Sequence, residues 1–186
     1  MGRRTEFNFV DSYHYNIAAF GLAGLLGIDD VIPVTVERQW NGEPGALSWW
    51  LGETWDDSQR LKERVFPPDH RTWSEQWYRM DVFAELVYDT DRNMGNILYT
   101  EGWKLWMIDF ARAFRILGEL RTPERITRCD RQLLERLRQL TEEDVERKIG
   151  QHLTAGEISA LMERRDKLVA HVEQLIAQKG EHIVLY

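Results

Sequence analysis

Three side chains near the middle of this 186-residue chain have the types and spacing for phosphate chemistry: Asp91, Asn96 and Asp109. The first two fall in Asp91-Arg92-Asn93-Met94-Gly95-Asn96, and the third ends the run Trp106-Met107-Ile108-Asp109. Moving a phosphoryl group onto a hydroxyl asks for a carboxylate to meet the attacking oxygen. It also asks for an amide oxygen and a second carboxylate to hold Mg2+ on the phosphates. The set supplies one of each. Two plainer readings compete for the same residues. An Asp/Asn/Gly cluster between elements is commonly a turn and nothing more. Asp89-x-Asp91-x-Asn93 also imitates the start of a Ca2+ loop, but the sixth position is Met94 rather than Gly and the twelfth is Thr100 rather than a bidentate Glu.

For Asn96 and Asp109 to meet, the chain between them has to double back. Residues 97–99 and 105–108 are strand-like runs joined by a turn at Glu101-Gly102, which predicts a hairpin that brings both residues to one end. The loop before it is fed by a predicted core helix over 73–88, with Trp73, Trp77, Met80, Phe83, Ala84 and Val87 at helical spacing after the break at Pro67-Pro68. Upstream, Asp11-Ser12 can cap a helix to about Leu26, with Ile17, Phe20, Gly21 and Leu25 on its apolar side and Gly27 as the stop. The β-branched run 31–40, turn residues 41–45 and the run 46–51 predict a first hairpin. After the second hairpin the remainder reads as helical, with capping boxes at Thr141-x-x-Asp144 and Thr154-x-x-Glu157 and with Gly180 ending a helix rich in Leu161, Leu168, Val172, Leu175 and Ile176. The plan is α+β: helix, hairpin, helix, hairpin, helices.

Asp91-Arg92-Asn93-Met94-Gly95-Asn96-Ile97-Leu98 followed by Ile108-Asp109-Phe110 resembles the D-R-H-x-x-N-I-L and I-D-F-G segments of phosphatidylinositol 3-/4-kinase-like catalytic domains. It is more similar still to a bacterial group of uncharacterised proteins with that fold, to which the segments around Ala18–Gly27 and Val31–Val36, and the Arg128-Cys129-Asp130 and Arg164-Arg165-Asp166 regions, also correspond. The resemblance implies a protein/lipid-kinase-like C-lobe, mostly helical with a catalytic β-hairpin, preceded by a truncated N-lobe remnant. Residues 1–53 would be the remnant and 54–186 the C-lobe of one domain. It further implies Asp91 as catalytic base and Asn96 and Asp109 as metal ligands. Trp49, Trp50 and Leu51 would form the adenine-side hinge, with Ile108 also on the nucleotide side. ATP and Mg2+ would be the cofactors. Three positions depart from the pattern: Asn93 replaces the loop His, Ala111 the Gly after Asp109-Phe110, and Asn16 a helix Glu facing ATP.

A kinase normally covers its phosphates with a Gly-rich strand turn and holds them with a Lys paired to that Glu. No such strand pair fits before Asp11, and no lysine precedes Lys62. Gly21-x-x-Gly24-x-x-Gly27 has a period of three on a helical segment and reads as close packing. The expected function is therefore an atypical minimal kinase that transfers phosphate from Mg-ATP to a protein, lipid or small-molecule acceptor. The alternative is a catalytically impaired pseudokinase acting as a nucleotide-binding or interaction module. An uncovered nucleotide face predicts self-association or a covering partner, with Arg3, Arg4 or Arg38 as cations that could be donated across the contact.

The rest of the composition is exclusionary. A net charge of −7 argues against nucleic acid as a partner. The apolar stretches are too short for a membrane span, and residues 1–8 carry no apolar signal core. The single cysteine, Cys129, suits a reducing cytoplasm and has no nearby His to activate it. The five histidines lack metal-ligand spacing, so no zinc is expected, and the tryptophans read as core or hinge. Arg112 and Arg115, following Asp109, are placed to contact phosphate or substrate, but exposed loop arginines are more often in surface ion pairs.

Overall fold

The computed structural model describes residues 10–186; Arg3 and Arg4 lie outside it. The first helix, α1 (Tyr13–Leu26), begins where the Ser12 hydroxyl accepts the His14 amide and ends at Gly27, whose φ of 69° lets its N–H close onto the last-turn carbonyls. Ala18, Ala19, Leu22 and Ala23 bury it on several sides. Its small residues admit a second helix, α5 (Glu142–Ile149): a Cβ at Gly21 would stand 2.5 Å from Ile149 Cγ2. The expected glycine packing holds at that position alone, since Gly24 meets open space and Gly27 is the cap.

A 3-10 turn at Asp29–Val31 leads to the first hairpin, β1 (Thr35–Trp40) and β2 (Glu43–Ser48). Its turn consists of Asn41 and Gly42 at φ 51° and 86°, left-handed values that match the twist of paired strands. This corrects the expected turn over 41–45: Glu43, Pro44 and Gly45 belong to β2. Pro44 is tolerated because both strands of this two-stranded sheet are edges. The first strand likewise starts later than residue 31, because the 3-10 turn and Pro33 precede it.

The charged stretch beyond residue 51 holds two unexpected elements, β3 (Trp55–Asp56) and α2 (Asp57–Glu63). The helix start is a reciprocal box between Asp56 and Gln59. Next comes α3 (His70–Leu86), capped by Asp69. The second hairpin is β4 (Ile97–Thr100) and β5 (Lys104–Met107), and β3 joins it to make a three-stranded sheet in the order β3-β4-β5. Register places Ile97 opposite Met107.

Residues 111–130 depart from the helical expectation, with only a 3-10 turn at Pro123–Arg125. Their path is pinned by Arg164 of α6 (Ala155–Lys179), a fully buried side chain that donates to the carbonyls of Leu86, Arg115 and Leu117. Buried irregular backbone persists where such donors satisfy it. The C-terminal part comprises α4 (Arg131–Gln139), α5, α6 and α7 (Glu181–Val184). Thr154 and Glu157 form the expected reciprocal box. At Thr141 only half of one forms: the shorter Asp144 side chain takes the Thr141 hydroxyl at 2.6 Å instead of reaching the backbone. One hydrophobic core runs from Tyr15 in α1 to Leu185. Among the described residues no helix is long and apolar enough to cross a membrane.

Candidate functional site

The loop that follows α3 is built around a buried charge pair. The Asp89 carboxylate, wholly shielded from solvent, accepts the Asp91 amide at 3.0 Å and Arg92 Nε at 2.8 Å. Arg92 then donates to the carbonyls of Asn96 (2.6 Å) and Ile108 (2.8 Å), and its guanidinium lies 4.5 Å from the centre of the Phe110 ring. One planar, forked side chain thus joins the end of the loop, the end of β5 and Phe110. The Ile108 N–H adds a bond to the Asn96 carbonyl at 3.2 Å. Together these contacts close the sequence gap between Asn96 and Asp109.

Asn96 ends a 3-10 turn (Met94–Asn96) and sends Nδ2 to the Asp91 carbonyl at 2.9 Å, which leaves its amide oxygen for another partner. Asn93 closes the same turn: its oxygen accepts the Gly95 N–H at 2.8 Å, and its nitrogen donates to the Asp91 carbonyl and carboxylate, both at 3.1 Å. The second Asp91 oxygen meets Arg112 at 3.3 Å, and Arg112 also reaches Asp11. Asp109 is exposed and sits at φ 55°, a left-handed conformation costing a non-glycine residue roughly 1 kcal/mol. Two bonds hold it there. Its own carboxylate accepts the Ala111 amide at 3.2 Å, and Asn16 Oδ1 accepts the Phe110 amide at 2.8 Å. Phe110 is buried edge-on against Phe83 of α3.

Between the two hairpins lies a largely apolar cavity of about 200 Å3. Ile32, Pro33, Thr35, Ser48 and the segment Trp49–Gly52 line one side; Leu98, Met107, Ile108, Asp109 and Phe110 line the other, and Asn16 also contributes. Trp49 and Trp50 are 73% and 84% exposed, so neither is core. The Trp49 N–H closes the hairpin onto the Val34 carbonyl at 2.8 Å, whereas the backbone groups of Trp50 and Leu51 bond to no other described backbone. The expected nucleotide-side residues Trp49, Trp50, Leu51 and Ile108 thus share one cavity with Asp109. Asp91 instead lines a second, polar cavity of about 190 Å3 with Asp81, Glu85, Asn93, Arg121 and Arg125. Asn96 connects the two, by its side chain to Asp91 and by its backbone to Ile108.

Several contributors lay outside the sequence reading. Asp89 and Arg92 stood in the motif without a role, and Asn16 figured there only as a departure. Arg115, expected at the surface, is buried and donates to the Thr90 hydroxyl at 3.5 Å. The histidines, expected to be too scattered for a metal, converge in part: the Nδ1 atoms of His14 and His152 stand 3.2 Å apart, and Glu37 lies 3.9 Å from His152. Burial and the neighbouring His14 push His152 below the ordinary histidine value, against an opposing pull from Glu37.

No family model matches this chain, and no curated protein matches it by sequence. Among solved structures, hydra Fam20 determined with sugar aligns with 100% of this chain and 77% of its own, at a TM-score of 0.71 and 16% identity. With its α+β elements in this arrangement, the chain shares the fold of that structure.

Proposed function

We propose that this chain is a nucleotide-dependent phosphotransferase of the phosphatidylinositol 3-/4-kinase-like type. The observation that carries the reading is the convergence of Asp109, Ile108 and the Trp49–Leu51 segment on one apolar cavity, with Asn96 and Asp91 tied to its edge. The apolar walls suit a planar base, and the backbone groups of Trp50 and Leu51, which bond to no other described backbone, suit its polar edge. The oxygen donors suit a hard cation: Asn96 keeps an amide oxygen free of its Asp91 bond, and Asp109 is exposed and fixed in direction. These two residues would hold Mg2+, which when bound neutralises charge on phosphate oxygens. Asp91 accepts the proton of an acceptor hydroxyl entering from the polar cavity, and its carboxylate is oriented by Asn93 and Arg112. Arg92 and Asp89 act through these groups as positioning residues.

A second reading, a module that binds nucleotide without turnover, is favoured by one observation: Arg112 already pairs with Asp91. Calorimetry with ATP, with and without Mg2+, tests what both readings share. We expect Mg2+-dependent binding that Asp109→Asn abolishes; asparagine tolerates the left-handed backbone, so the variant should stay folded. Equal affinity with and without Mg2+ would refute both. Mass spectrometry of the protein and cell extract after incubation with Mg-ATP then separates them: phosphoryl transfer lost in Asp91→Asn, with nucleotide binding kept, supports the enzyme.

A further inference from the structure

We propose that His14, His152 and Glu37 form a zinc-type divalent metal site with three protein ligands and a fourth position open to water. The two Nδ1 atoms stand 3.2 Å apart. Two imidazole nitrogens bound to one tetrahedral Zn2+ at about 2.0–2.1 Å are separated by about 3.3–3.4 Å, so the rings need almost no adjustment. Glu37 Oε2 lies 3.9 Å from His152 Nδ1, and all three ligand atoms fall within 4.8 Å of one another. Glu37 has to close by about half an ångström on the His152 side and by no more than about 1.4 Å on the His14 side, and a half-exposed side chain on a strand has that freedom.

The surroundings fit a metal better than a simple bond between two imidazoles. Such a bond needs no third donor, yet Glu37 is brought in from another element. The far nitrogen of His152, Nε2, is 3.0 Å from the Gln151 amide, the outer partner that fixes ring direction in metal-bound histidines. With its oxygen turned inward, that amide accepts the Nε2–H left when Nδ1 binds the metal. Beside the two histidines opens a cavity of about 430 Å3, which gives a fourth ligand its approach. The ligands come from α1, β1 and the 3-10 turn Gly150–His152 that follows α5. A metal here staples the first hairpin to the helical body, independently of what the nucleotide-side cavity binds.

The test is a calorimetric titration of the chelator-stripped full chain with Zn2+ alone, followed by Co2+ substitution. We expect one Zn2+ per chain, a higher melting temperature with zinc, and the visible absorption of four-coordinate cobalt. His14→Gln and His152→Asn should lower affinity by more than about a hundredfold, the outer limit for losing a mere supporting partner. Glu37→Gln, on an exposed strand away from the core, should remain folded by circular dichroism and lower it at least about tenfold. His70→Gln and His182→Gln, both exposed, should leave it unchanged. Absence of Zn2+ binding would overturn the proposal. So would binding that survives Glu37→Gln and His14→Gln, which would identify an adventitious ion only.

Discussion

Replacing Arg92 by lysine tests whether one guanidinium holds the loop and the second hairpin together. Lysine keeps the charge opposite Asp89 but has no fork. It cannot satisfy Asp89 and also reach the carbonyls of Asn96 and Ile108, which arginine bonds at 2.6 and 2.8 Å. Hydrogen bonds from a charged donor contribute about 1.5–3 kcal/mol each. Losing two at the lower figure, in a site where the arginine side chain is 7% exposed, gives about 3 kcal/mol. For a chain of this size each kcal/mol lowers the melting temperature by about 2–4 °C, so Arg92→Lys should melt about 6–12 °C early. Arg92→Ala should cost more, because it leaves the Asp89 carboxylate buried and uncompensated. Arg71→Ala supplies the control: that side chain is 81% exposed, its pairing with Glu75 is screened by solvent, and its loss should leave the melting temperature nearly unchanged. Differential scanning calorimetry reads all three. If Arg92→Lys melts within about 2 °C of the parent, the clamp is not what positions Asn96 and Asp109, whatever the distances.

Alanine at two glycines of α1 should act in opposite directions. Gly21→Ala should lose about 1–3 kcal/mol by driving a methyl into Ile149, and Gly24→Ala should gain about 0.5–1 kcal/mol from helix propensity; chemical denaturation measures both. Burial pushes the Cys129 thiol up to about 12. A thiol reagent at pH 8 should therefore react only as the protein unfolds, and labelling at the free-thiol rate in native buffer would contradict the packing. Because that value is raised, the stability gained by keeping the thiol protonated is full below pH 9.0 and is lost as pH climbs toward 12. The first hairpin exposes Trp40, Leu47, Trp49 and Trp50, an apolar surface of the kind that marks interfaces. Light scattering should show mass rising with concentration, and a single 22.0 kDa species throughout would argue against self-association.

Elements announced by local chemistry are legible in the sequence. Ser12 and Gly27 bound α1, Gly180 ends α6, and the turn at Glu101-Gly102 marks the second hairpin, because caps and tight turns are decided within a few residues. The hairpin that brings Asn96 beside the end of the second strand is legible too, through a motif whose spacing only a hairpin reconciles. What is hidden is whatever depends on distance along the chain. β3 is two residues long, too short to show alternation, and exists because β4 offers it an edge. Arg92, Arg115 and Arg164 look like surface arginines in sequence, and only their buried carbonyl, hydroxyl and carboxylate partners reveal otherwise. His14 and His152 are 138 positions apart, so no spacing rule finds them.

The bond from the Phe110 amide to Asn16 Oδ1 spans 94 positions and ties the turn of α1 below the first hairpin to the backbone that aims Asp109. It works as a mechanical linkage. A hydrogen bond of 2.8 Å is largely spent once stretched beyond about 3.5 Å, so a slide of α1 by less than one ångström is felt at the carboxylate. His14 and Asn16 share the first turn of α1, which also lies against the first hairpin, so a shift of that turn carries both side chains with it. The helix is capped at both ends and wedged by Gly21 against α5, which fixes the point at which Asn16 meets the Phe110 amide.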